Sequence, residues 1–458
     1  MDRSPSFNKG LAIAVAFSVG ALGLSAVARA DDGMPPAPAS MDPAGAVNPL
    51  STVVRGAGIK VGDGTIFRPQ VGIETGVVSN VFYQPDGPVT AGLLRLLFEI
   101  GTGSLSGQRL QIKTKSDEQG DPDAPLTMTS ENTGDFQYSA DLYATWDQYL
   151  STNDNVNSQG GLGGGLLVRG LVNAQHPLQF GFQEHFSRLI RATNFESNGD
   201  TNRDVNDLGL RLNYVPYGRS LSGYLYYSNR IDIFESDAQQ FANRFQNTLG
   251  LRIDWKWLPL THVFGDVSVG YFTGLGDSQK VNSFPFTVVG GIQTALTLNT
   301  TVNAHAGYSN GFYSSGPSYS TVTGGVLFGY RYSPLGRVTA LYNYDHADSI
   351  NANFYRDHAF QVSIEQYLVP FVVFAQSELR LRQYDGTIVM GMTGRTRDDT
   401  IIGATVGMRY GFRDWIAATV DYQLQDVQTD FRYDAGGGLI VDPSFVRHEL
   451  LVGVRAAY

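Results

Sequence analysis

SFVRHELLVGVRAAY, residues 444–458, sorts its side chains into two sets by parity. The even positions are Val446, His448, Leu450, Val452, Val454 and Ala456, apolar but for one. The odd positions include Arg447, Glu449 and Arg455, three charges. Successive side chains of a β-strand leave opposite faces. The segment therefore reads as a strand with one face suited to hydrocarbon and the other to water, and Tyr458 falls on the apolar phase.

The same alternation recurs along the chain, over about 134–149, 158–173, 177–193, 203–216, 219–234, 243–257, 260–273, 284–297, 299–313, 318–332, 335–348, 353–368, 370–385, 398–413 and 414–432. In 245–257 the phase of Leu249, Leu251, Ile253 and Trp255 opposes that of Thr248, Arg252 and Asp254. Each segment exceeds the roughly 9–11 residues that carry a tilted strand across a bilayer, whereas soluble sandwich strands run to about 5–6. Connections alternate too. Tight ones at 215–218, 258–259, 298–299, 333–336, 369–370 and 413–414 interleave with longer polar ones at 194–202, 235–242, 274–283, 386–397 and 433–443. Short turns at one rim and long loops at the other are the layout of an outer-membrane barrel. Segments 68–83 and 91–115 complete the count. The fold class is all-β, a transmembrane antiparallel up-and-down β-barrel of about 18 strands, or 16 without the early pair. A propeller would show a repeat period, and none is present.

Residues 1–30 have a basic start (Arg3, Lys9), an apolar run and the ending Ala28-Arg29-Ala30, the pattern of a removed signal peptide. Residues 31–64, rich in Pro, Ala and Gly, read as a flexible periplasmic extension, and 65–458 as the barrel. The chain has no Cys, so packing and hydrogen bonds replace disulfides. Its net charge of −10 argues against a nucleic-acid partner. Charged residues at 17%, 53 Gly and 24 Tyr suit strands that alternate between lipid and water. The final strand resembles the C-terminal signal read by the barrel assembly machinery, which implies that Leu450, Val452, Val454, Ala456 and Tyr458 present it. The expected location is the outer membrane of a Gram-negative-type cell, in contact with its lipid.

The less apolar phase of each strand supplies the candidates for the lumen: Arg169, Arg191, Arg211, Arg230, Arg252, Arg331, Arg380, Arg382, Arg409, Glu378, Asp254, Tyr224, Tyr226 and Tyr384. Basic residues outnumber acidic ones on this phase. Ion pairing across neighbouring strands that braces the wall stands ahead of anion selectivity as its meaning, and the tyrosines offer ring faces to sugars. Histidines show no metal-ligand spacing, and the run Gly160–Gly165 precedes a strand rather than a helix. No nucleophile–base constellation appears, so no enzyme activity and no cofactor are expected.

RPQVGIETGVVSNVFY, 68–83, resembles the opening strand of a family of outer-membrane β-barrel porins that accompany exopolysaccharide synthesis systems. The likeness lies in a Pro-led strand ending in Asn80-Val81-Phe82, with Ser79 where the family has Asp. The resemblance implies a conduit for a secreted polysaccharide, served by a separate periplasmic export protein. The alternative is a general or solute-specific uptake porin.

Overall fold

The computed structural model describes residues 58–61, 65–104, 135–190, 202–216, 220–333, 335–349, 351–368, 370–392, 394–434 and 440–458. Residues 1–30 and most of 31–64 therefore lie outside the description, as do Arg191 and most of the stretch between the second and third strands.

Eighteen long strands follow one another. They are β1 Thr65–Val78, β2 Ala91–Ser104, β3 Phe136–Leu150, β4 Gly161–Val172, β5 Leu178–Leu189 and β6 Arg203–Tyr214. Next come β7 Leu221–Phe234, β8 Arg244–Leu258, β9 Thr261–Gly274, β10 Phe286–Thr297, β11 Thr300–Asn310 and β12 Ser320–Ser333. The last six are β13 Gly336–Asp348, β14 Phe354–Leu368, β15 Phe371–Asp385, β16 Thr396–Arg413, β17 Ile416–Thr429 and β18 Phe445–Ala457. Each pairs antiparallel with its chain neighbours, and β18 also pairs with β1, from Gln70↔Ala457 to Val78↔Glu449. The sheet is thus a closed barrel, which leaves no lipid-exposed edge. The Tyr458 amide donates to the Pro69 carbonyl at 3.0 Å and extends the closing seam by one bond.

The molecule is inside-out relative to a soluble protein. Leu249, Leu251, Ile253 and Trp255 of β8 are exposed, while Arg252 and Asp254 between them are buried. On β18, Leu450, Val452 and Val454 are exposed, and Arg447 and Arg455 are buried. An outer apolar surface of this extent would be insoluble in water and is what a bilayer requires of a barrel wall. With its period of two, each strand sends its charges to the opposite face, where they surround the lumen.

Three details differ from the sequence reading. β1 ends at Val78, and Asn80 and Tyr83 take positive φ of 55° each, turning 79–83 off the wall. Val81 is buried with Leu93, Tyr149 and Leu451, and Tyr83 with Ile401, Val427 and Phe445. This segment folds into the mouth because Asn80 tolerates the left-handed region and its side chain bonds Gln84 and the Val446 carbonyl. At the other end of β1, Ile59–Val61 pairs with Phe67–Thr65, so the last part of the presumed extension adds a short ribbon to the sheet. Third, the rim asymmetry has one exception. The β2–β3 connection, 105–135, is long yet belongs by chain order to the tight-turn rim.

Candidate functional site

Opposite charges two residues apart share a face of a strand, and cross-strand neighbours sit opposite or diagonal to them. Along-strand ion pairs join Arg252 to Asp254 at 3.1 Å, Arg397 to Asp399 at 2.6 Å, Arg447 to Glu449 at 3.1 Å, and Arg380 to Glu378. Across strands, Arg382 grips Asp357 with two bonds of 2.7 and 2.6 Å, and Arg95 grips Asp147 likewise at 2.7 and 2.8 Å. Arg203 and Arg244 share Asp232 at 3.1 and 2.8 Å. At the seam Arg455 reaches Glu74 at 2.5 Å, and Arg409 reaches Asp421 at 2.7 Å. Such doubled guanidinium–carboxylate bonds are the strong, oriented kind.

Arg211, Arg252, Arg380, Arg382, Arg409, Asp254, Tyr224, Tyr226 and Tyr384 are buried on inward positions, and Arg169, Arg230 and Glu378 are half-buried there. Arg331 has the inward parity but is exposed next to a tight turn. Several inward tyrosines carry a guanidinium on one ring face. The Arg211 guanidinium lies over Tyr224 at 4.8 Å, that of Arg397 over Tyr384 at 4.9 Å, and that of Arg382 over Tyr355 at 3.7 Å. Cations at these distances occupy the ring faces. Sequence reasoning passed over Arg203, Arg244, Asp357 and Asp348, three of which stand at or near strand ends. The signal that finds them is parity continued to the last residue of each strand.

A solvent-filled lumen would leave its lining accessible. Arg203, Arg252, Arg382 and Tyr384 are nonetheless buried almost completely, so these inward side chains pack against their neighbours along the wall. What remains includes a cavity of about 200 Å³ walled by strands from β7 to β14. Its lining holds Arg230, Arg244 and Arg252 of β7 and β8, Asp266 of β9, and Asp345 and Asp348 of β13, with Arg244 donating to the Asp348 carbonyl at 3.4 Å. Glycines make the room. Tyr226 lies across Gly250 and Phe264 across Gly291, where a Cβ would come within 2.2 and 2.4 Å of the rings. Laid flat in this way, the rings line the cavity without filling it.

The loops above this half of the barrel interlock. The Leu275 and Gln279 amides donate to Asn243 and Phe241, Ser314 donates to Asn282, Ile388 to Asn351, and Met392 to Arg432. Lys280 is buried and donates to the carbonyls of Ser349 and Ala352, the latter at 2.6 Å. The Asn353 side-chain amide donates to Ser315 and Pro317, both at 3.1 Å. The connections after β7, β9, β11, β13, β15 and β17 thus form a continuous collar at the loop rim. Tyr319 of this collar stacks on His346 at 4.6 Å above the cavity.

An apolar outer belt, a closed sheet and a charged interior together define a membrane-spanning β-barrel. The chain is similar to solved structures of the same architecture. Pseudomonas aeruginosa OccK2 (OpdF) in complex with glucuronate shares 11% identity at a TM-score of 0.44, covering 85% of this chain and 97% of that one. Pseudomonas aeruginosa OpdK with vanillate shares 8% at 0.43, over 86% and 99%. Acinetobacter baumannii OccAB4 shares 10% at 0.39, over 86% and 98%. No family model and no curated protein matches the chain.

Proposed function

We propose that the protein is an outer-membrane channel for small charged solutes, with uptake as its direction. The observation that carries this reading is a small inward cavity of about 200 Å³ whose lining holds Arg230, Arg244 and Arg252 together with Asp266, Asp345 and Asp348. A solute in such a passage exchanges its hydration for a few fixed charges, which is how a narrow pore discriminates. A polysaccharide conduit, which the N-terminal resemblance implies, calls for a wide passage with many weak contacts and open ring faces. Here Tyr224 and Tyr384 each have one ring face under a guanidinium, and both rings are buried. That supports the solute porin over the polymer conduit.

The test is reconstitution of the mature chain into liposomes, with swelling followed for solutes of rising size. Small charged solutes should pass and oligosaccharides should not. A deletion strain that makes polysaccharide but no longer displays it, while its uptake of small solutes is unchanged, would overturn the reading.

A further inference from the structure

We infer that the outward face of β5–β8 is an interface, on which a second copy of this chain packs within the bilayer about a two-fold axis. Parity places Glu184 with Phe180 and Phe186 on the lipid side of β5, and Asn206 with Leu212 and Tyr214 on that of β6. Glu184 is framed by apolar residues on every side, Phe182 and Phe186 along its strand and Val168 and Leu208 across from it. Neither Glu184 nor Asn206 has a hydrogen-bond or ionic partner among the described residues. Arg188, beyond Phe186 on the same strand, is taken by Glu235 through bonds of 2.5 and 3.0 Å. Elsewhere on the belt polar groups serve each other, Tyr422 with His448 at 2.9 Å and Tyr342 with His358 at 3.1 Å. Lipid tails offer a carboxylate or an amide no hydrogen bond, so this patch calls for a protein cover.

The patch complements itself, which points to a second copy. Tyr227 and Asn229 of β7 and Asn247 of β8 continue it, on the outward parity of Leu225 and Leu249. The Asn247 side-chain oxygen accepts from Tyr227 at 2.6 Å and from Asn229 at 3.0 Å, while its N–H groups have no partner among the described residues. Cross-strand pairing climbs as strand number rises, from Gln70 near the tight-turn end of β1 to Arg244 at the loop end of β8. With strands tilted about 40°, that climb brings Tyr227 to the level of Glu184, and Asn247 to the level of Asn206. A two-fold axis along the membrane normal preserves level. Passing in front of β6, it sets each Glu184 carboxylate, an acceptor only, against the other copy's Tyr227 hydroxyl, which rotates to suit. It likewise sets each Asn206 against the other copy's Asn247 amide. Every contact occurs twice, as an isologous pair requires, whereas a ring of three copies would need two different patches.

The chain has no Cys, so a single introduced thiol reports only on its own surroundings. Leu208→Cys stands beside the axis, and mild oxidation of outer membranes from cells making the full chain should link it into a dimer of twice the chain's mass. Leu381→Cys, exposed on β15 half-way round the wall, should stay single. Glu184→Leu with Asn206→Leu, added to Leu208→Cys, should abolish the dimer while heat-modifiable insertion is kept, since leucine suits a lipid face. If Leu208→Cys inserts poorly, Leu210→Cys on the other side of the axis takes its place. Absence of the dimer in a normally inserted barrel overturns the inference. So does a dimer whose yield the leucine pair leaves unchanged, or equal linking by Leu381→Cys. A cross-linked band of any other mass overturns the second copy as the occupant.

Discussion

Asp357 gathers two arginines in the lumen, bonding Arg382 twice and Arg380 once at 3.5 Å. Breaking a buried ion pair leaves an uncompensated charge and costs about 3–5 kcal/mol. Asp357→Asn should lower unfolding stability by about that amount, measured by urea titration in lipid vesicles. Arg337–Glu365 is a built-in contrast at 2.7 Å, since Arg337 stands half in solvent near a tight turn. Arg337→Gln should change stability by less than ~1 kcal/mol. The same rule explains why the basic excess on the inward phase does not amount to a field of open positive charge. Arg252, Arg380, Arg382 and Arg409 each have a carboxylate within reach.

Strands and loops divide the work at the next scale. The lipid face of β18 tolerates no charge. Val452→Arg should cost about 2–4 kcal/mol near the bilayer centre, read by the same titration, and Val452→Leu should be near neutral. Removal of residues 444–458 should abolish insertion, because β17 and β1 would each present an unpaired edge to lipid. Heat-modifiable migration on a gel reports the outcome. Among the loops, Lys280 ties 275–285 to 349–353 through two carbonyls. Lys280→Met leaves those acceptors buried and should raise amide hydrogen exchange across 349–353, with no change in the strands.

At the scale of the whole barrel, the segment 79–83 sets the mouth. The Tyr83 ring packs edge-on against Phe445 at 5.0 Å and lies under the Arg447 guanidinium at 4.6 Å. Tyr83→Ala should therefore raise single-channel conductance in planar bilayers while insertion stays intact. Unchanged conductance would mean that the passage runs along the opposite wall, beside the cavity. Eighteen strands could enclose a broad aqueous channel. Inward side chains such as Arg203, Arg252 and Arg382, held in ion pairs along the wall, take up part of that space.

The amino-acid sequence by itself determined the wall. Alternation over segments of membrane-crossing length identified every strand from 134 onward to within a few residues, because a period of two written against lipid leaves no choice of face. Parity likewise sent Arg252, Arg382 and Tyr384 to the interior and Leu450, Val452 and Val454 to the lipid. The sequence led to the expectation of ion pairs across neighbouring strands, whereas Arg252–Asp254, Arg397–Asp399 and Arg447–Glu449 pair along one strand. The tertiary structure alone decided how the interior is filled. Whether Tyr224 offers its face to a solute or lies beneath Arg211 depends on β6 and β7 standing side by side. Asp232 can gather Arg203 and Arg244 only once three strands are in register. The cavity draws its lining from strands between β7 and β14, which the curvature of the closed sheet turns toward one another. Local pattern governs which side of a strand a residue takes, whereas the neighbour it meets there is set by register and curvature, which no local pattern encodes.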